Sequence, residues 1–202
     1  MTDNYNGSQV LFRMAKARAI SAKKFAAQAD SEIAQGGNGM ERRQRERDAV
    51  IAVLVFTQGA AEAYSNWVHL EAQRKIEHSE DPQSFSYSPD RSWIDHWETL
   101  PAAAEVLDRP AGAALSAEHK AFLERLGAWR NYLLHADRKA RDRLLGQIAP
   151  DTDPETVSVP DLLTADRAHQ VLTDIEPVFG WAQDVTGIQA PFLAGAWVAF
   201  DE

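Results

Sequence analysis

Ala128-Trp129-Arg130-Asn131-Tyr132-Leu133-Leu134-His135 is the stretch on which the reading of this chain turns. It lies inside a helical pattern. From Lys120 onward, Phe122, Leu126, Trp129, Leu133 and Leu134 recur at three- and four-residue steps, so they line one face of a helix. A guanidinium, an amide and an imidazole are threaded through that apolar run. Asn131 and His135 are four apart and share a face. Arg130 lies about half a turn round from His135, at roughly 100° per residue. Its long stem can still bring the guanidinium beside the imidazole.

Outward from this stretch the pattern stays helical. Ser116 is a good N-cap with Glu118 in the first turn, and the spacing predicts a helix from there through His135, extending toward Leu145. Pro150, Pro154 and Pro160 then break the chain. Thr164 can cap a further helix with Asp166 in its first turn. That helix carries Ala168, Val171, Leu172, Ile175, Phe179 and Ala182, ends near Gly187, and should kink at Pro177. Upstream, residues from about Ser8 to Asp30 read as a first helix with a buried stripe of Leu11, Met14, Ala17, Ser21 and Phe25. Gly36, Gly37, Asn38 and Gly39 stop it. A longer second helix runs from about Glu41 to His78, with Val50, Val53, Leu54, Thr57, Ala61, Tyr64, Val68 and Ala72 on its core face.

Residues 79–116 read as an irregular insertion, broken by Pro82, Pro89 and Pro110. Within it Ser92 to Pro101 can form a short helix that docks Trp93 and Trp97. The tail at 188–202 is apolar enough, through Phe192, Leu193, Trp197, Val198 and Phe200, to dock on this subunit or another. There is no repeat and no persuasive β alternation. The expectation is all-α: a single domain over residues 1–202, built as a bundle of four main helices with the insertion between the second and third.

The composition agrees with a folded domain: 202 residues, 45% hydrophobic and 25% charged. There is no cysteine, which excludes disulfides, Cys-ligated zinc and thiol catalysis and fits a reducing cytoplasm. The N-terminus is polar, without the apolar core of a signal peptide, and no apolar run approaches the roughly 18 residues that span a membrane. The net charge is −9, and residues 146–202 account for all of it. Residues 1–145 are neutral, so the acidity does not argue against an anionic partner there.

What Arg130, Asn131 and His135 do depends on what they face. A histidine on an apolar helix is more often a hydrogen-bonded core residue than a catalyst, and an arginine beside it serves as readily in a surface ion pair. Facing RNA, the same groups acquire a chemistry. Cleavage by the RNA's own 2′-hydroxyl needs one group to take its proton, one to protonate the leaving 5′-oxygen, and positive charge on the phosphate. Histidine titrates near neutrality and serves either proton role. Arginine stays charged and matches phosphate oxygens bidentately. No metal or cofactor is required. One Arg and one His are a thin site, so two copies meeting across a dimer make better sense.

Arg130-Asn131-Tyr132-Leu133-Leu134-His135 resembles the R-x4-H motif, in its Arg-Asn form, of the HEPN superfamily (higher eukaryotes and prokaryotes nucleotide-binding). The resemblance covers most of residues 8–187: a helical bundle with the motif on a late helix, preceded by a long helix and an insertion. The motif is its specific part. It implies a metal-independent endoribonuclease working as a homodimer, both motifs lining a shared cleft. Arg130 would bind and polarise the phosphate, His135 would do acid/base work or orient the scissile group, and Asn131 would hold the arrangement. Such proteins often act as toxins, held by an antitoxin, or in defence against phage. Some have lost catalysis and bind a nucleotide or a protein partner instead. In members silenced by a nucleotidyltransferase that modifies a tyrosine, the motif continues His-x-Tyr. Here it continues His135-Ala136-Asp137, which counts against that kind of partner.

Neighbouring residues add candidates. Arg138, Lys139, Arg141 and Arg143 follow the motif and can track an RNA backbone. Equally, cations at a helix C-terminus are favoured by the macrodipole. Glu62, amid Ala60, Ala61, Ala63 and Tyr64, can pair across the bundle with Arg130 or His135, or be an exposed glutamate on an alanine-rich face. His69 is two turns further along that face. Trp67 and Trp129 read as core rather than as base-stacking platforms. Arg42, Arg43, Arg45 and Arg47 at the start of the second helix read as a solvated turn paired with Glu41, Glu46 and Asp48, with phosphate binding as the alternative.

Overall fold

The thirty-eight residues from Met40 to Glu77 contain no proline and a single glycine, and they form one continuous helix, α2. At 1.5 Å per residue it is about 57 Å long. Every other long helix packs on it. The computed structural model of the chain describes residues 7–78, 88, 92–110, 112–153 and 155–191. Among these there are seven α-helices, one short 3-10 turn and no strand. α1 is Gly7–Ala34, α3 Trp93–Glu98, α4 Leu100–Val106, α5 Ala117–His135, α6 Arg138–Ile148 and α7 Ala165–Thr186; the 3-10 turn is Val159–Leu162. The chain is therefore an all-helical bundle, with α1, α2, α5 and α7 as its long members. No helix among the described residues is long and apolar enough to cross a membrane.

α1 and α2 form an antiparallel hairpin. Gly39 starts α2 in the left-handed region (φ 60), where a side chain is disfavoured, and Ile33 approaches to 2.9 Å of where its Cβ would stand. At the other end Leu11 lies against Gly59. The seam of α1 is not the stripe of Leu11, Met14, Ala17, Ser21 and Phe25 expected from the sequence. The buried residues are Ser8, Phe12, Ala15, Ala22 and Ala29, four of them small and spaced by seven. Small side chains at heptad spacing let two helices approach closely. Met14 is 41% exposed, Ala17 is exposed, and Leu11, Ser21 and Phe25 are half-buried beside the seam.

α7 runs parallel to α2. At one end the Ala165 N–H donates to Glu46 Oε1 (2.8 Å). At the other the Tyr64 hydroxyl donates to the Ile188 carbonyl (2.9 Å) and lies 3.3 Å from Thr186 Oγ1. Between these ends an aromatic cluster joins α1, α2, α3 and α7. Phe179 meets Phe12 and Tyr64 edge-on at 5.6 Å, and Trp97 stacks on Tyr64 at 6.1 Å. α7 continues through Pro177 to Gly187.

The segment expected to be irregular holds two helices. Ser92 and Asp95 form a reciprocal capping box that starts α3, as a serine three residues ahead of an acid predisposes. α4 follows after one residue. Pro101, the last residue of the short helix expected from Ser92, is in its first turn, where the missing N–H costs nothing. Trp97, Leu100, Ala103 and Ala104 are fully buried, so α3 and α4 are part of the core. The tail residues 192–202, and the loop residues 79–87, lie outside the described residues.

Candidate functional site

The motif occupies the last turns of α5. Ser116 starts this helix by accepting the His119 N–H (3.1 Å), and Phe122, Leu123, Leu126 and Trp129 bury its inner face. α3 covers the flank at Gly127. The Trp93 indole nitrogen is 2.9 Å from where a Cβ on Gly127 would stand, so only glycine admits that approach. One turn further on, Arg130 is exposed and Leu134 is 63% exposed.

Helix α5 stops at His135. Ala136 turns into the left-handed region (φ 48) and its N–H donates to Tyr132 O (2.8 Å). Asp137 then caps a separate helix, its carboxylate accepting the Ala140 N–H (2.7 Å). The continuous helix expected from Ser116 toward Leu145 is thus two helices. The reason is local: Asp137 satisfies an amide at the start of α6 that a continuous helix would bond to its own backbone. The break also changes the standing of the cations behind the motif. Arg138, Lys139, Arg141 and Arg143 sit at the beginning of a helix, where the macrodipole opposes them. Arg138 is 3.7 Å from Asp142 and 3.6 Å from Glu155, both loose exposed pairs. Arg141 donates to the Val157 carbonyl (3.3 Å) and ties α6 to the segment before the 3-10 turn. Lys139 and Arg143 are exposed, without an ion pair among the described residues.

Within the motif, Arg130 and His135 are exposed and Asn131 is half-buried. His135 is five residue steps along the helix from Arg130, a rise of about 7.5 Å with a rotation of about 140°. Among the described residues none of the three side chains forms a hydrogen bond or ion pair with another group. Glu62 is half-buried on α2 and makes no ion pair with Arg130 or His135 there. The site in one copy is an open pair of a cation and an imidazole flanking the exposed Leu134.

The other candidates are placed as structure. His69 is 2% exposed; its Nδ1 donates to Ser65 O (2.7 Å), and its Nε2 meets Thr99 Oγ1 at 2.9 Å, joining α2 to the start of α4. Trp129 is buried and Trp67 half-buried. Of the arginines that open α2, Arg43 pairs with Glu46 (2.8 Å) and Asp30 (2.5 Å), Arg45 with Glu41 (2.5 Å) and Arg47 with Asp161 (3.1 Å). Sequence reasoning assigned Glu46 to that solvated turn. It is 3% exposed and instead carries the N-terminus of α7. Nothing local could have marked it, because its second partner is 119 residues away. Among the described residues no three His, Asp or Glu side chains converge as a metal site would need. No protein-family model, curated protein or solved structure matches the chain.

Proposed function

We propose that this chain is a metal-independent endoribonuclease of HEPN type, active as a homodimer in which Arg130, Asn131 and His135 of both copies line one cleft. The observation that carries the reading is the state of the motif: a guanidinium and an imidazole, both solvent-exposed and both without an intramolecular partner among the described residues, flank an exposed leucine. A core histidine would be bonded, as His69 is. Leu134 gives two copies an apolar contact that brings their motifs together. In the reaction the RNA 2′-oxygen attacks phosphorus and the bond to the 5′-oxygen breaks, leaving a cyclic phosphate and a 5′-hydroxyl. The imidazole of one His135 takes the 2′-hydroxyl proton and that of the other protonates the leaving oxygen. Arg130 neutralises charge on the phosphate, and Arg138, Lys139 and Arg141 track the strand beyond it. Such an activity suits a toxin or an anti-phage effector controlled by a partner protein.

The test is cleavage of a mixed RNA pool by the wild type and two variants, with sedimentation to read the oligomeric state. His135→Ala should abolish cleavage with folding intact. Arg130→Ala should weaken both RNA binding and turnover, and EDTA should change nothing. Cleavage unaffected by His135→Ala, or lost in EDTA, sinks this mechanism. A second reading is a catalytically silent module that binds a nucleotide or a protein. It is favoured by the lack, among the described residues, of any group orienting His135 and by the intrachain contacts of Arg138 and Arg141. RNA or nucleotide binding without cleavage would select it.

A further inference from the structure

Helix α1 carries Arg13, Lys16, Arg18, Lys23 and Lys24 between Gly7 and Ala29, and no acidic residue in that span. Lys16 is committed to Glu176 on α7 (3.5 Å). Arg18, Lys23 and Lys24 are exposed and form no ion pair among the described residues. Beside them, between α1 and α2, runs an open groove of about 360 Å³ lined by Arg18, Phe25, Arg45, Asp48, Ala49, Ala52 and Phe56. Such a volume lies within the range of roughly 300–1,000 Å³ typical of ligand sites. Its floor is alanine, and two half-buried phenylalanines flank it. Two arginines stand at its rim. Among the described residues Arg45 is held only by the exposed Glu41, a pair that exchanges easily for a phosphate. The one acid, Asp48, is exposed and accepts from Gln44 (2.9 Å).

We propose that this groove binds single-stranded nucleic acid. Flat aromatic faces beside a cationic rim are the two features by which proteins hold such strands without reading sequence. A base lies against Phe25 or Phe56, its phosphates meet Arg18 and Arg45, and Lys24 takes the next phosphate over the crest of α1. The choice of polymer rests on the ribonuclease reading; the charge and shape of the groove do not. α1 packs on α2 and α7, whereas α5 packs on α2, α3, α6 and α7, so the groove is separate from the motif. It would hold a strand for delivery to a cleft elsewhere on the dimer.

The test is anisotropy of a labelled deoxythymidine strand of about 12 nucleotides with the full chain in about 50 mM salt. A deoxy strand has no 2′-hydroxyl, so the cleavage chemistry proposed above cannot consume it. Arg18→Glu should weaken binding about tenfold and lower the salt slope by about 0.7 to 1.4, one to two phosphate contacts. Phe56→Ala should weaken it about tenfold with the slope unchanged, and circular dichroism checks that the fold survives. Absence of wild-type binding overturns the proposal, as does wild-type affinity in Arg18→Glu, an exposed site that leaves the core untouched. A change of oligomeric state in Arg18→Glu with strand affinity retained makes the groove an interface between copies, and also overturns it. Strand binding without RNA cleavage would sink the ribonuclease and leave the groove standing; cleavage without strand binding does the reverse.

Discussion

Tyr64→Phe should erase a defined share of the protein's sensitivity to alkali. The Tyr64 hydroxyl is enclosed where α2 meets the end of α7, and burial pushes its pKa from 10.0 up to about 12, against a smaller opposing effect of the Thr186 hydrogen bond. The folded state therefore favours the neutral phenol. A group whose folded pKa is raised contributes stability that is whole below the unfolded value and is lost as pH climbs through the folded one. Two pKa units amount to about 2.7 kcal/mol, fully present below pH ~10 and gone above pH ~12, with about 1.4 kcal/mol already lost at pH ~11. At neutral pH the substitution removes the bond to the Ile188 carbonyl and leaves that acceptor unpaired, a cost of about 1–2 kcal/mol. Urea unfolding of both proteins at pH ~8 and pH ~11 gives the answer. Lysines and the other tyrosines titrate alike in both and cancel in the difference. The wild type should lead at pH ~8, and the gap should close at pH ~11. A gap equally wide at both would show that Tyr64 is not sealed from water and would refute the reasoning.

Three further substitutions test a buried charge, an exposed charge and a glycine held against an indole. Glu46→Ala deprives the Ala165 N–H and Arg43 of a buried acceptor and should cost about 2–3 kcal/mol in urea, while Arg45→Ala, losing an exposed pair, should cost under about 0.5 kcal/mol; equal costs would deny Glu46 its role. Gly127→Ala should gain about 1 kcal/mol by helix propensity alone, but its Cβ would meet Trp93 at 2.9 Å, so a net loss of about 1–3 kcal/mol is expected; a higher Tm would mean that the indole moves aside freely.

Helix ends were the legible part of this chain. Ser116, Thr164 and the run Gly36 to Gly39 mark their boundaries because capping and left-handed turns are settled within four residues. The same locality misleads where two signals compete. Leu133 and Leu134 invite a helix onward past His135, yet the Asp137 cap breaks it, and the single short helix expected over Ser92 to Pro101 is two, with Pro101 in the first turn of the second. The seam of α1 was misjudged because Met14 and Phe25 are the conspicuous apolar residues, whereas close packing on α2 selects Ala15, Ala22 and Ala29. For the motif, the chain alone supplied the identity and order of Arg130, Asn131 and His135. It left open whether they are buried.

What the sequence by itself determined is the all-helical character, the break between α1 and α2, the starts of α5 and α7, and a motif with the residues for acid/base and phosphate chemistry. These follow from backbone hydrogen bonding and side-chain type within a few residues. Only the tertiary structure decided that Glu46 is a buried cap and His69 a bonded core residue, that α3 covers α5 as far as Gly127, and that Arg130, Leu134 and His135 emerge into solvent just beyond it. The reason is that burial belongs to no residue alone: it is set by where a neighbouring helix begins and ends, and those neighbours are distant in the chain.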